Sequence, residues 1–232
     1  MNPVFAVAIV GGVLAVDYRS SLRLMISQPI CGGLITGIVL HAPAEGLLVG
    51  ALMQMMFLGL VNIRGRTTPD LPVGGVVAAA LYILISAESG GDHLLRGNVL
   101  FWSILTGVLV AGLGQYVYTV WERSSSGLTR AAFGYVREGK LRRASMIHLS
   151  ILLVHFIYGA LLIILLVPIG TIALAAVVEL TSPVVGGSLA ALTVILPFIG
   201  VGSLMRLYRS RSQVFWFTAG FLVTIMIVLV RG

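Results

Sequence analysis

Long apolar runs separated by short polar stretches dominate the pattern of this chain. Two runs, 98–121 and 146–168, are each long enough for a membrane-spanning helix, which needs about 20 apolar residues. Two later runs, 184–205 and 213–230, are of similar length. The pattern predicts an all-α integral membrane protein, a polytopic helical bundle with about five or six clear crossings.

The segment 29–70 is the exception, because Gly and Pro divide it into apolar pieces too short for ordinary crossings. It ends on polar residues, among them Asn62 and Asp70. Arg64 and Arg66 could pair with Asp70 or extend toward a membrane interface. Irregular backbone at membrane depth persists only where protein buries it or where it lines a wet cavity. Such interrupted segments usually indicate a transporter's substrate site, and we predict one here.

Other short apolar runs are 1–16, 71–86 and 170–183. For 170–183, and for the pieces 29–40 and 44–62, the pattern leaves open whether the chain crosses the membrane or re-enters it.

Composition agrees with a membrane location. Hydrophobic residues make up 58% of the 232 residues and charged residues only 10%, against about 25% charged in soluble domains. The net charge of +7 does not indicate nucleic acid binding, because the basic residues lie in short loops between apolar runs. We predict a single polytopic membrane domain, 1–232, inserted in a plasma or inner membrane without a cleavable signal peptide.

The basic residues also predict the orientation of the later crossings. The hydrophilic segment 122–145 is rich in Arg and is expected to be a basic cytoplasmic loop, as is 206–211. The loops 87–97 and 170–183 then lie outside, and so does the C-terminus. The N-terminal third is not oriented by this argument.

Glycines recur in the broken segment at the spacing of close helix packing. Gly33 is followed by Gly37, and Gly46 by Gly50. Such pairs let helix backbones approach closely in membranes. We expect this packing inside the protomer rather than at a dimer interface.

No motif of a soluble enzyme is present. The chain lacks a Walker loop, an HExxH pair, paired cysteines and a nucleophile elbow, so we predict no catalytic, cofactor-binding or metal-binding residues. Cys31 is the only cysteine and is expected to pack as a small hydrophobic residue. His148 and His155 share a helix face and are expected to be structural.

Polar side chains in the broken segment are the candidate ligand groups, since each is costly in lipid. Gln54 could link helices by a hydrogen bond or bind a polar ligand, and both interpretations are open. A polar cluster beside Pro69 contains Asn62, Thr67, Thr68 and Asp70, with the amides and carboxylates that bind adjacent sugar hydroxyls. Asp70 is also expected to cap the next helix, a role compatible with ligand binding.

Short motifs follow one another along the chain in a definite order. After a polar stretch with Asp17 come MISQPI at 25–30, the glycine pair and Ile-Val-Leu at 33–40, the pair Gly46 and Gly50, FLGLVN at 57–62, Thr-Pro-Asp at 68–70, Ile-His-Leu-Ser at 147–150, GGSLAA at 186–191 and LPFIGVG at 196–202. In order and spacing these motifs resemble the membrane subunit IIC of the mannose/fructose/sorbose family of sugar phosphotransferase systems. The resemblance covers essentially the whole chain.

This resemblance implies a function and an assembly. A IIC subunit pairs with a second membrane subunit, IID, and moves a hexose-type sugar inward while the soluble IIA and IIB proteins transfer phosphate to it. The resemblance further implies a multi-pass protein of a bacterial inner membrane, assembled as a trimer of IIC–IID pairs. The phosphoryl chemistry belongs to IIB, so whether this chain counts as an enzyme is left open, and no cofactor is expected. The segment 122–145 would be available to IIB, although such charged loops more often serve only to set topology.

Several positions depart from the pattern of that family. Arg64-Gly65-Arg66 replaces a run of small residues, and His41-Ala42 stands where the turn is often Gly-Asp. Two further departures concern the candidate site. Gln28 stands where the family commonly has Arg, and Gln54 where it commonly has Glu. If those residues form a buried ion pair in relatives, losing one alone would strand a charge at a cost of about 3–5 kcal/mol, whereas two Gln keep a hydrogen bond without charge. The substrate-binding residues predicted from the resemblance and the polar cluster are Gln28, Gln54, Asn62, Thr68 and Asp70.

Two other functions remain open from the sequence. A secondary transporter driven by another energy source would use the same broken helices, with Asp70 or Glu179 as its intramembrane carboxylate. A non-transporting scaffold for IID is favoured only by the departures at Gln28 and Gln54.

Overall fold

The computed structural model describes residues 2–19, 24–60, 68–87 and 93–205, with isolated positions between 210 and 223. Inside these ranges the side chains of residues 94, 121 and 123–126 are not described. The predicted crossing 213–230 therefore lies largely outside the described residues.

Every regular element in these ranges is an α-helix, which confirms the predicted fold class. Proline within the first two positions of α2, α3, α4 and α7 helps to set where each begins, because its fixed φ suits a helix start and its missing N–H would have no partner there. The helices are α1 (Pro3–Arg19), α2 (Pro29–Val39), α3 (Pro43–Met56), α4 (Leu71–Ser86), α5 (His93–Arg137), α6 (Leu141–Leu180), α7 (Pro183–Thr193) and α8 (Leu196–Met205).

Helix α4 is the centre of the bundle. Its residues from Pro72 to Ser86 are buried, apart from Leu84, and it packs against α1, α2, α3, α5 and α6. Its many Gly, Ala and Val residues let neighbouring backbones come close. At Gly74, for example, an added Cβ would lie 2.8 Å from the Cβ of Ala111 on α5.

Helices α2 and α3 form a hairpin packed glycine against glycine. A Cβ on Gly33 would lie 2.8 Å from the Cα of Gly50, and one on Gly46 would lie 2.7 Å from the Cα of Gly37. The predicted packing of these glycines inside the protomer is confirmed. The two helices have only 11 and 14 residues, so the segment is broken as expected.

Helices α5 and α6 are longer than the hydrophobic pattern indicates. They have 45 and 40 residues, about 68 and 60 Å at 1.5 Å per residue. The segment 122–145, predicted as a basic loop, is instead the largely helical tip of the α5–α6 hairpin, with its turn at Gly139 (φ 71°). Arg and Lys have good helix propensity, so a basic segment need not be irregular.

Helix α6 also runs through most of 170–183, which the pattern separates as a short piece. The helix continues past Pro168 to Leu180, so this segment is not re-entrant. An unbroken helix keeps its backbone N–H and C=O groups hydrogen-bonded where no water can reach them. A single proline in such a helix is tolerated because neighbouring groups can bond the carbonyl that it leaves free.

Three helical segments of the described chain have the length and apolar composition to cross a membrane: Leu95–Val120, Leu141–Leu180 and Pro183–Met205. They correspond to the three crossings predicted before residue 206. The third consists of α7 and α8, with a turn at Val194 and Ile195 between them.

The helix ends define two opposite faces of the bundle. Arg19 at the end of α1 meets Asp70 at the start of α4, and we call this side the Asp70 face. At the opposite side, an apolar cavity of about 760 Å³ lies between the start of α1, the α2–α3 turn and the end of α4. Because α5 runs antiparallel to α4 and ends in the basic tip, that tip lies on the side of the Asp70 face.

We predict that Gly33→Ala destabilises the protein by about 1–3 kcal/mol, the usual effect of forcing a carbon into a packed interface. Gly112→Ala is the matched control, since no atom of the described residues lies within 4 Å of a Cβ there. Thermal unfolding of the detergent-solubilised protein should show a lower midpoint for Gly33→Ala only. Equal midpoints for the two variants would contradict the close glycine packing.

Candidate functional site

A fully buried carboxylate marks the start of α4. Asp70 is 0% exposed, and its N–H donates to the carbonyl of Ala111 on α5 at 2.9 Å. Its Oδ1 accepts from the N–H of Val73 at 3.5 Å, so the predicted capping of α4 by Asp70 is confirmed. A carboxylate at this position also interacts favourably with the helix dipole.

Arg19 of α1 balances the charge of Asp70. The two side chains form an ion pair and are only 8% and 0% exposed. The guanidinium carbon of Arg19 also lies 3.3 Å from the ring centroid of Tyr118 on α5, a cation–π contact. Arg64 and Arg66, the partners considered from the sequence, lie outside the described residues.

Tyr158 brings α6 to the same carboxylate. Its hydroxyl lies 2.9 Å from Asp70 Oδ2 and 2.7 Å from the carbonyl oxygen of Gly114; having one proton, it donates to one of them at a time. Gly114 permits this approach, because a Cβ there would lie 2.8 Å from the Cβ of Asp70. We call Arg19, Asp70, Tyr118 and Tyr158 the Asp70 cluster.

Thr68 lies next to the cluster but bonds elsewhere. Its Oγ1 is 2.6 Å from the hydroxyl of Tyr18, which also donates to the carbonyl of Pro69 at 3.2 Å. The structure thus brings Thr68 and Asp70 to one place, and both have protein partners in this conformation.

The two glutamines that depart from the family pattern meet in the broken hairpin. Gln54 Nε2 on α3 donates to Gln28 Oε1 at 3.0 Å. Gln28 is the N-cap residue of α2, but its side chain does not cap that helix. The remaining oxygen, Gln54 Oε1, is buried and has no hydrogen-bond partner in the described part of the chain.

An unbonded buried acceptor is unfavourable by about 1–3 kcal/mol. A ligand hydroxyl that donates to Gln54 Oε1 would remove that penalty. The pair therefore presents neutral hydrogen-bonding groups of the kind that a polyhydroxyl ligand uses, one of them an acceptor without a protein partner among the described residues.

The amide pair and the Asp70 cluster lie along the same stretch of α4. Pro29, next to Gln28, packs against Gly75, where an added Cβ would lie 3.2 Å from the Pro29 Cα. Gly75 follows Asp70 by about one and a half turns of α4. The Asp70 cluster thus holds the start of α4, the helix against which the α2–α3 hairpin packs.

Sequence reasoning missed Arg19, Tyr118 and Tyr158, and it named Asn62, which lies outside the described residues. One signal for Arg19 was available, because Asp17 and Arg19 follow directly on an apolar run. His155 is half-buried near Tyr118, with ring centroids 6.0 Å apart, and its structural role stays a prediction.

Long apolar helices, a broken hairpin that carries a pair of amides and a buried ion pair are together typical of helical membrane proteins of the transporter type. The family model of the PTS system sorbose-specific IIC component matches residues 2–230. The chain belongs to this family, as its motifs predict.

Individual relatives are more distant. A putative N-acetylgalactosamine permease IIC component 2 of Escherichia coli (strain K12) is 28% identical over 79 residues, which is 34% of this chain and 59% of that protein. The match thus spans less than two thirds of that relative's length.

Two solved structures share the fold. One, described as a membrane protein, has a TM-score of 0.74 and 21% identity, covering 96% of this chain and 84% of that one. The other, the mannose transporter ManYZ with a microcin, has a TM-score of 0.54 with the same identity and coverage.

We predict that Arg19→Met destabilises the protein by about 3–5 kcal/mol, because it leaves Asp70 as an unpaired buried charge. Adding Asp70→Asn should recover part of this loss, since Asn still caps α4 but carries no charge. The thermal unfolding midpoints of Arg19→Met and of the double variant measure how much stability is recovered. A double variant no more stable than Arg19→Met would show that the charge of Asp70 does not depend on Arg19.

Proposed function

We propose that this chain is the sugar-translocating IIC subunit of a phosphoenolpyruvate-dependent phosphotransferase system. The observation that carries the proposal is a part-buried amide pair in a broken hairpin, with one buried acceptor, Gln54 Oε1, that has no partner among the described residues. The chain that carries it is a member of the sorbose-specific IIC family. The substrate is a neutral hexose-type sugar, and phosphate transfer to it is carried out by IIB.

In this proposal Gln28 and Gln54 contact the sugar directly. One hydroxyl donates to Gln54 Oε1, and a neighbouring oxygen accepts from the Gln28 amide. Asn62 is kept as a further contact on the basis of the sequence. Thr68 and Asp70 are assigned to the same site. Their bonds to Tyr18 and Arg19 hold the start of α4, the helix against which the hairpin packs.

The partners follow from the family. The chain would pair with a IID subunit in a bacterial inner membrane, as a trimer of IIC–IID pairs, and would receive phosphate through IIA and IIB. The basic tip at 122–145 would lie in the cytoplasm by the positive-inside rule. The Asp70 face then points inward, and the N-terminus of α1 points outward.

No observation favours an ion-coupled transporter. Such a protein needs an intramembrane carboxylate that can exchange its cation. Asp70 is already paired with Arg19, and Glu179 lies exposed at the end of α6.

Uptake into membrane vesicles tests the proposal. Vesicles containing this chain and its IID-type subunit are loaded with phosphorylated or unphosphorylated IIB and given labelled sorbose, mannose or N-acetylgalactosamine. At least one sugar should enter, and only with phosphorylated IIB. Uptake without phosphate donor would support a secondary transporter, and no uptake would support a scaffold; either result contradicts the proposal.

We further predict that Gln54→Glu alone lowers uptake by about tenfold or more, because a carboxylate would be buried without a cation. Gln28→Arg combined with Gln54→Glu should recover uptake by supplying that cation. Initial uptake rates at equal protein levels measure both. A Gln54→Glu variant with wild-type rates would rule out this charge coupling.

A further inference from the structure

Asp17 carries a buried carboxylate and is not one of the residues proposed to contact the sugar. It lies two residues before the end of α1 and is 6% exposed. A buried charge is unfavourable unless it is paired or hydrogen-bonded, so its partners indicate its role.

Both oxygens of Asp17 accept from the backbone of the segment that precedes α2. Oδ1 accepts from the N–H of Leu24 at 2.6 Å, and Oδ2 accepts from the N–H of Ser27 at 3.0 Å. Such bonds to a charged acceptor are roughly twice as strong as those between neutral groups. The carboxylate therefore holds residues 24–27 in a closed turn.

The turn contains a residue in an unfavourable conformation. Met25 has a φ of 62°, in the left-handed region that non-glycine residues seldom adopt. Its side chain is 65% exposed, so side-chain packing contributes little to holding it there. The two hydrogen bonds to Asp17 hold Leu24 and Ser27, which lie on either side of Met25, in place.

Gln28 follows the turn directly, and its direction depends on it. The N–H of Gln28 donates to the carbonyl of Met25 at 3.2 Å, and the side chain accepts from Gln54 instead of capping α2. The turn thus sets where the backbone enters α2, and with it the position of the side chain that meets Gln54.

We infer that Asp17 is a positioning residue for the sugar site: it holds the turn 24–27 in the conformation that directs Gln28 toward Gln54. This inference rests on the proposed function, and Asp17 itself touches no sugar.

A double-mutant cycle tests the inference in the chain co-expressed with its IID-type subunit. The probe is whichever of sorbose, mannose and N-acetylgalactosamine the wild type binds most tightly. Asp17→Asn keeps one acceptor but places an amide NH₂ against an N–H, and we expect it to weaken binding about tenfold. Gln28→Ala should weaken binding similarly, and the double variant should bind no more weakly than Gln28→Ala alone.

Met25→Gly gives a rescue that acts on the turn itself and touches neither Gln28 nor Gln54. Glycine adopts a positive φ without strain, so adding Met25→Gly to Asp17→Asn should recover part of the affinity. Additive losses in the double variant, or wild-type binding by Asp17→Asn, would overturn the inference. Wild-type binding by Gln28→Ala would instead overturn the proposed sugar site.

Hydrogen exchange of the amides in 24–28 needs no sugar. Asp17→Asn should lose protection in this segment and keep it in α4. Unchanged protection in 24–28 would overturn the inference, even if the wild type bound none of the three sugars.

Discussion

The buried carboxylate of Asp70 joins four helices that are distant in sequence. It caps α4, pairs with Arg19 of α1, accepts from Tyr158 of α6 and lies against Gly114 of α5. A buried ion pair gains little net stability, because removing two charges from water offsets most of their attraction. Its effect is on the arrangement, since any packing that separates these helices leaves a charge without its partner.

The arrangement of the candidate site follows from this constraint. Asp70 fixes where α4 begins, α4 carries Gly75 in its first turns, and Pro29 packs there. The hairpin is then closed by glycine contacts between α2 and α3. The groups of the hairpin that are proposed to bind a ligand are neutral amides, whereas the buried carboxylates nearby, Asp70 and Asp17, are bonded to other groups of the protein. This division suits an uncharged sugar, which needs hydrogen bonds rather than a counter-charge.

The sequence predicted what depends on local pattern. The long crossings, the glycine pairs and the capping by Asp70 all follow from composition and spacing within a short stretch of chain. The partners of Asp70 do not, because Arg19 and Tyr158 lie 51 and 88 positions away. The lengths of α5 and α6 were also missed, because hydropathy shows where a chain is apolar, not where its helix ends. The sequence suggested the contact between Gln28 and Gln54 only as a hypothesis, because both residues differ from those common in the family.

A structure of the complex with its transported sugar tests the central claim most directly, namely that the amide pair binds the sugar while the Asp70 cluster supports it. We predict a sugar hydroxyl within hydrogen-bond distance of Gln54 Oε1, with the Arg19–Asp70 ion pair intact. A sugar bound to Asp70 in place of Arg19, or bound away from the α2–α3 hairpin, would contradict this account.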